Sequence, residues 1–438
     1  MPPAPNGSNW EEAMTIRLDR RQFLLGSTAL AAAAGISPAF AQQALRLIFW
    51  GSQARADRTY GVTDLYAKAG GPAIEGEFLA WNDYWPKLAT QTAGGNAPDV
   101  VQMDYRYIVE YATRGAIAPL DEFVGGALQL ADFDQDQLDG GKVDGKLYGI
   151  SLGANSVALM INTVDFDKAG VPVPGPTTTY ADFEAIADAF AAAGVGKKVL
   201  ADGSGSEPMF ENWLRQRGKA LYTADGKLGW EEGDAVDWFT MWAGLRDKGV
   251  CVGAEDQALD TGPLETTMLT LNKASVIPSN SNQLVAFQAI NQDKITISNF
   301  PRIATDAPGG HYRKPSMFFS VAGGSANKEE AAKFVSYFVN SPDASLVLGV
   351  ERGIPCSKSV REALAPTLDE QSQIALNFVA NLGPLLGALP PSPPARAGEI
   401  DSSLFRVISQ EVGFGARSAD DAGKALFSGA NDILSRAG

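Results

Sequence analysis

From Leu45 to Arg114 the chain alternates three times between strand-like and helix-like runs, and that order restricts the fold more than any other feature. Leu45-Arg46-Leu47-Ile48-Phe49 is a short apolar run of strand formers, halted at Trp50-Gly51-Ser52. Helical spacing follows from about Asp57 to Ala69 and stops at Gly70-Gly71-Pro72. Residues 74–79 alternate like a strand, and 81–92 return to helical spacing. Pro98 to Met103 make a compact buried strand, and Tyr105 to Arg114 a helix stopped by Gly115 with Pro119 beyond. Three βα units in about 70 residues predict a parallel, doubly wound α/β sheet, because each crossover helix must pack back onto the sheet it left.

The remainder carries the same vocabulary less regularly. A turn at Asp144-Gly145 precedes Leu147 to Ile150, and Val157 to Ile161 is a fully apolar strand ending in Asn162. Helices dominate from Tyr180 to Asp247, after which 274–277, 295–297 and 316–322 regain strand character. Asn327 and Glu330 have the spacing of a capping box, ahead of an apolar face at Ala331, Phe334, Val335 and Phe338. Residues 374–435 read as helical with Pro and Gly breaks. Roughly 400 residues exceed the limit of about 250–300 for one core, so two domains are expected. Strands that return after a long helical excursion imply that the chain crosses between the domains more than once.

The N-terminus reads as an address. Arg20-Arg21, the weakly apolar run Gly26 to Ile36 and the triplet Ala39-Phe40-Ala41 match a twin-arginine signal peptide with its cleavage site. The run is too short for a membrane span of about 20 residues. Cleavage after Ala41 would begin the mature chain at Gln42, with no cysteine there to carry a lipid, which predicts a soluble, non-lipidated periplasmic protein. Met1 to Ala13 look like an upstream extension, with Met14 an ordinary start. Arg17, Arg20 and Arg21 balance Glu11, Glu12 and Asp19, so the net charge of −15 belongs to the mature chain. Such a polyanion without a basic cluster repels a phosphate backbone, and nucleic acid is not an expected partner.

Cys251 and Cys356 are too few to have a diagnostic spacing, although a bridge between them is chemically possible. No phosphate-cradling glycine loop, CxxC or HExxH is present, and no cofactor is expected. The single histidine, His311, excludes a multi-histidine metal site and reads as a solvated loop residue in Gly309-Gly310-His311-Tyr312.

In open α/β sheets ligands bind outside the carboxyl ends of the strands. Trp50, Gly51 and Ser52 follow the first strand there, Asp104 and Tyr105 the third, and Ser279 and Asn280 the strand ending near Pro278. Aromatic faces beside hydroxyls, an amide and a carboxylate suit a sugar, whose C–H faces stack on rings while its hydroxyls need donors and acceptors. Trp81, Trp85, Trp213, Trp230, Trp238 and Trp242 enlarge the aromatic supply, most of it expected in the core.

A longer pattern joins these pieces. Trp81-Asn82-Asp83-Tyr84-Trp85 is followed by Gly95-Asn96-Ala97-Pro98-Asp99-Val100-Val101-Gln102-Met103-Asp104, then by Gly115 to Asp121 and by Asp144-Gly145-Lys146-Leu147-Tyr148-Gly149-Ile150. Gly153-Ala154-Asn155 leads to Asn162, Phe166 to Gly170 follow, and Ala331-Ala332-Lys333-Phe334-Val335 comes late. In order and spacing this resembles the extracellular solute-binding proteins of carbohydrate ABC transporters, the group that includes maltose-binding protein. The resemblance implies a two-lobed periplasmic binding protein fold of the α/β class, each lobe a mostly parallel sheet flanked by helices, joined by hinge strands near 152–158, 276–280 and 316–322. It implies a leader over 1–41, a first lobe of 42–152 with 280–316, and a second of 153–279 with 317–438. Where relatives usually carry proline, Ser151 stands here, which implies a less rigid crossing.

The expected ligand-binding set is Trp50, Ser52, Arg55, Trp81, Asp104, Asn155, Trp213, Asn280, Met317 and Arg352. Arg55 is offered either as the partner of an acidic sugar or as a surface arginine opposite Asp57. The implied partners are a mono- or oligosaccharide and the transmembrane permease subunits of an ABC importer, with the protein itself a monomer. Two other classes fit the residues. A secreted carbohydrate-active enzyme would need a carboxylate pair such as Asp83 and Asp104 about 5–10 Å apart. A binding protein for a non-sugar solute, such as a polyamine, peptide or metal chelate, is the other, and the aromatic faces fit a cationic amine too.

Overall fold

The structure, a computed structural model, describes residues 44–436. The signal sequence and its cleavage site therefore lie outside the described residues. Strands β1 (Leu45–Trp50), β2 (Ile74–Leu79) and β3 (Val100–Met103) run parallel, with Leu47 opposite Val100 and Phe49 opposite Phe78. Helices α1 (Gln53–Lys68) and α2 (Trp81–Ala93) make the crossovers. β1 and β3 are buried almost throughout because helices cover both faces of the sheet, the usual state of a parallel sheet. α1 begins at Gln53, four residues before the apolar spacing indicates, because Ser52 caps it: Oγ accepts the Arg55 N–H at 3.3 Å.

The Asp144-Gly145 turn closes a hairpin of β4 (Lys142–Val143) and β5 (Lys146–Leu147). β6 (Ile150–Ser151) then leads through β7 (Ala154–Asn155) to β8 (Val157–Asn162). β8 lies in a second sheet with β9 (Lys198–Leu200), β10 (Ala274–Asn280) and β11 (Ile295–Ser298), in the order β11-β8-β10-β9. β12 (Lys314–Pro315) pairs with β7, and β13 (Phe318–Val321) completes the first sheet, ordered β2-β1-β3-β13-β6. Each sheet carries its own hydrophobic core, one around Phe49, Phe318 and Phe319, the other around Phe210, Trp238 and Trp242. The two-lobed α/β reading holds. The strands that return after a crossing run antiparallel, so β13 opposes β3 and β6, while β8 opposes both β10 and β11.

Lobe membership differs from the expected partition after Asn280. β11, in the stretch assigned to the first lobe, hydrogen-bonds to β8 in the second sheet. β13 and α3 (Lys328–Asn340), in the stretch assigned to the second lobe, pack into the first core through Phe319, Phe334 and Phe338. The crossings are at 152–156, at 311–317, and between the helices Lys358–Leu364 and Glu370–Ala380, the latter packing on β11. The 276–280 strand is no crossing; it stays in the second sheet. Ser151 is not left loose: its hydroxyl lies 3.1 Å from both Gln137 Oε1 and the Gly153 carbonyl, and Cys356 Sγ is 3.3 Å away. Asn327 does not cap α3 with its side chain, which donates to Asp99 Oδ1 instead. Cys251 and Cys356 are free thiols buried in different cores.

Candidate functional site

The carboxyl ends of β1, β2 and β3 converge on the seam between the lobes. Trp50 ends β1 and Trp81 opens α2, and their rings meet edge to face at 5.1 Å. Trp85 packs on Trp50 at 5.5 Å and on Tyr107 at 3.9 Å, with 33° between the latter planes. Tyr84 backs the group from the core. Such offset and T-shaped contacts fix ring orientations beyond what burial alone would do. Trp81 is 36% exposed while Trp50 is 6%, so the wall shows one open edge on a rigid support.

Titratable groups face this wall. Asp104, at the end of β3, accepts the Arg106 amide on Oδ1 at 2.9 Å. The Arg106 guanidinium reaches the other lobe, donating to Asp401 Oδ2 at 2.8 Å and standing 3.5 Å from Glu207 Oε2. Glu207 and Glu211 lie one turn apart on the helix Glu207–Gln216, which Ser206 caps. Burial pushes the Glu207 carboxyl up to about 8, with Arg106 opposing and Asp401 and Glu211 adding to the rise. Burial also raises Glu211, against the hydrogen bond from Tyr312 Oη at 2.8 Å. Lys314 lends positive charge to both carboxyls.

Three further contacts close the seam. Tyr105 Oη donates to the Pro390 carbonyl at 2.8 Å, and Asn82 Nδ2 to the Thr261 carbonyl at 3.1 Å. Gly398 lies so close to Tyr107 that a Cβ would come within 2.4 Å of its ring, so the bare backbone allows the approach. At the hinge, Asn155 opposes Lys314 and donates to Asn282 Oδ1 at 2.8 Å, and Asn282 donates to the Glu351 carbonyl at 3.0 Å. Asn155 Oδ1 is buried without a donor.

The predicted residues separate into two groups. Trp50, Trp81 and Asp104 gather at the seam, Asn155 at the hinge and Asn280 at the end of β10, while Ser52 is engaged as a helix cap. The other four serve lobe interiors. Arg55 is neither a surface residue nor opposite Asp57: its guanidinium grips both Glu351 oxygens, at 2.8 and 3.0 Å from Nε, and Asp57 bonds Gln53. Arg352 donates to Thr59 Oγ1 at 2.7 Å and lies over Phe338. Both cations lie beneath the surface because Glu351 neutralises them there, and together they hold its carboxyl low against the opposing effect of burial. Met317 is buried in the first core. Trp213 is core as well, stacked on Phe210, with Arg217 over its ring at 4.3 Å.

His311 is fully buried rather than solvated, bonded to the first crossing through Ser156 and to Phe300. Residues absent from the predicted set include Trp85, Arg106, Tyr107, Glu207, Glu211 and Asp401. Ser206-Glu207-Pro208 is a helix-start signature that puts Glu207 and Glu211 on one face, and it could have pointed to them. No local signal marks Asp401, whose partner lies 295 residues away.

A family model described as bacterial extracellular solute-binding protein matches residues 62–374. A solved family 1 extracellular solute-binding protein from Alicyclobacillus acidocaldarius is 30% identical, covering 90% of this chain and 98% of its own, with a TM-score of 0.66. A periplasmic oligogalacturonide-binding protein from Yersinia enterocolitica is 21% identical over 90% and 99% of the two chains, with a TM-score of 0.80. A Listeria monocytogenes ABC substrate-binding protein in complex with cycloalternan is 20% identical over 90% and 99%, with a TM-score of 0.75. A Brucella abortus relative is 27% identical over 104 residues; this chain spans about a quarter of the length of the curated relatives it matches.

Proposed function

The chain belongs to the bacterial extracellular solute-binding proteins, and from that premise we propose that it binds a mono- or oligosaccharide between its lobes and presents it to an ABC importer. The observation that carries this reading is the wall of Trp50, Trp81, Trp85 and Tyr107 at the carboxyl ends of the strands, with carboxylates across the seam. Ring faces take the apolar side of a pyranose, and Asp104, Glu207, Glu211 and Asp401 accept its hydroxyls. The saccharides named for the Yersinia and Listeria neighbours agree with that chemistry. The two arginines that would suit an acidic sugar, Arg55 and Arg352, are taken up by Glu351 and Thr59. Neither is available to an acidic sugar.

Binding is coupled to closure, because the ligand meets both walls only when the lobes are together. A micromolar ligand has about −8 kcal/mol available to favour the closed arrangement. The closed monomer is then what the permease subunits recognise, in a periplasm reached through the Arg20-Arg21 signal. A second reading, a cationic amine, is favoured by the carboxylates of Glu207, Glu211 and Asp401 beside aromatic faces. A thermal-shift panel of neutral, acidic and amino saccharides against aliphatic polyamines separates the two. At 100 times Kd the true ligand should add about 2.7 kcal/mol of stability. A response to polyamines with none to saccharides would overturn the sugar assignment.

A further inference from the structure

Arg106 is carried by the first lobe and directs its charge to the second. Its guanidinium is 2.8 Å from Asp401 and 3.5 Å from Glu207, with the arginine side chain 19% exposed and the carboxylates 10% and 11%. Its own amide is held by Asp104, so the loop that offers it is anchored at the end of β3. A planar fork shared by two shielded carboxylates is geometrically specific, unlike a surface ion pair. Gly398 docks flush on Tyr107 from the segment that supplies Asp401, which brings that carboxylate within reach. Among the other charged groups of the seam, Glu211 is engaged by Tyr312, and Arg215 donates to the Gly310 and Ala388 carbonyls. Neither competes for Arg106.

We propose that Arg106 is an electrostatic latch across the cleft, holding the lobes closed through Asp401 and Glu207, so that a ligand reaching those carboxylates must share them with the guanidinium. The latch rests on the reading of this seam as the ligand site, yet its effect on closure is measurable without any ligand. Parting the lobes separates Arg106 from both carboxylates at once, so the interaction is present only in the closed arrangement. It therefore biases the same equilibrium that the ligand biases.

Small-angle scattering of the ligand-free protein is the test. Three samples matter: wild type, Asp401→Asn, and the triple variant Arg106→Gln/Glu207→Gln/Asp401→Asn, which removes the ion pairs without stranding a charge. Wild type should populate the closed arrangement in part without ligand, which lowers its radius of gyration. Both variants should be larger, the triple more so, while far-UV circular dichroism stays native. The Asp401→Asn variant alone decides the matter if the triple fails to fold. A variant radius equal to that of wild type would overturn the latch. Failure of every saccharide in the thermal-shift panel would overturn the sugar assignment and leave these radii unaffected.

Discussion

Acidification should weaken this protein through one identifiable group. His311 is the chain's single histidine and is fully buried against Ser156 of the crossing at 152–156. Its Nε2 faces the Phe300 N–H at 3.3 Å, so Nε2 is the acceptor and the proton sits on Nδ1, 3.3 Å from Ser156 Oγ. A second proton would set N–H against N–H and bury a charge. Burial, and after it the Arg215 charge, push the imidazole from 6.5 down to about 3. A depressed folded-state value means that stability is complete above about pH 6.5 and is lost as pH falls toward 3. Between pH 6.5 and 4.5 the unfolded chain takes up a proton that the folded chain refuses, at about 1.36 kcal/mol per pH unit. The loss at pH 4.5 is therefore about 2.7 kcal/mol, roughly a hundredfold in the folding constant. Urea denaturation of wild type and His311→Gln at pH 7 and 4.5 isolates this contribution, since the carboxylates are common to both. Wild type should lose about 2.7 kcal/mol more than the variant over that interval. The single imidazole signal in proton NMR gives a direct reading and should not titrate between pH 8 and 5. A midpoint near 6.5, or parallel pH profiles for the two proteins, would refute the reasoning.

Other perturbations have equally definite outcomes. Glu351→Gln leaves Arg55 and Arg352 buried without their anion and should cost about 3–5 kcal/mol in urea unfolding; an unchanged midpoint would show that the carboxylate does not hold them. Trp81→Ala should weaken ligand binding by about 1–2 kcal/mol, roughly five- to thirtyfold, with little loss of stability. Trp213→Ala should do the reverse, costing about 3–5 kcal/mol of stability, and calorimetry with the opposite pattern would exchange their roles. Gly398→Ala places a methyl against the Tyr107 ring, so ligand affinity should drop while the urea midpoint moves little; equal affinity would mean that the lobes close without this contact.

Much of the fold was legible because it is encoded within a few residues at a time. The run 74–79 is β2 to the residue, Val157 to Ile161 lie in β8, and Phe334, Val335 and Phe338 face the first core. The aromatic wall was half legible: Trp50 and Trp81 follow strands whose ends a doubly wound sheet must bring together. β9 was missed inside the helical excursion because three residues offer too short a run to show a period.

Local patterning determined the α/β class, the order of the first βα units and the place where a ligand would meet them, because each depends on spacing between near neighbours. Tertiary structure alone decided which lobe receives each returning strand, that Arg55 and Arg352 serve the interior, and that His311 is dry. It also decided that Arg106 spans the seam. Arg55 meets Glu351 across 296 residues and Arg106 meets Asp401 across 295. A charge shows in its own neighbourhood only that it needs a partner, and chain folding chooses the partner by burying both together.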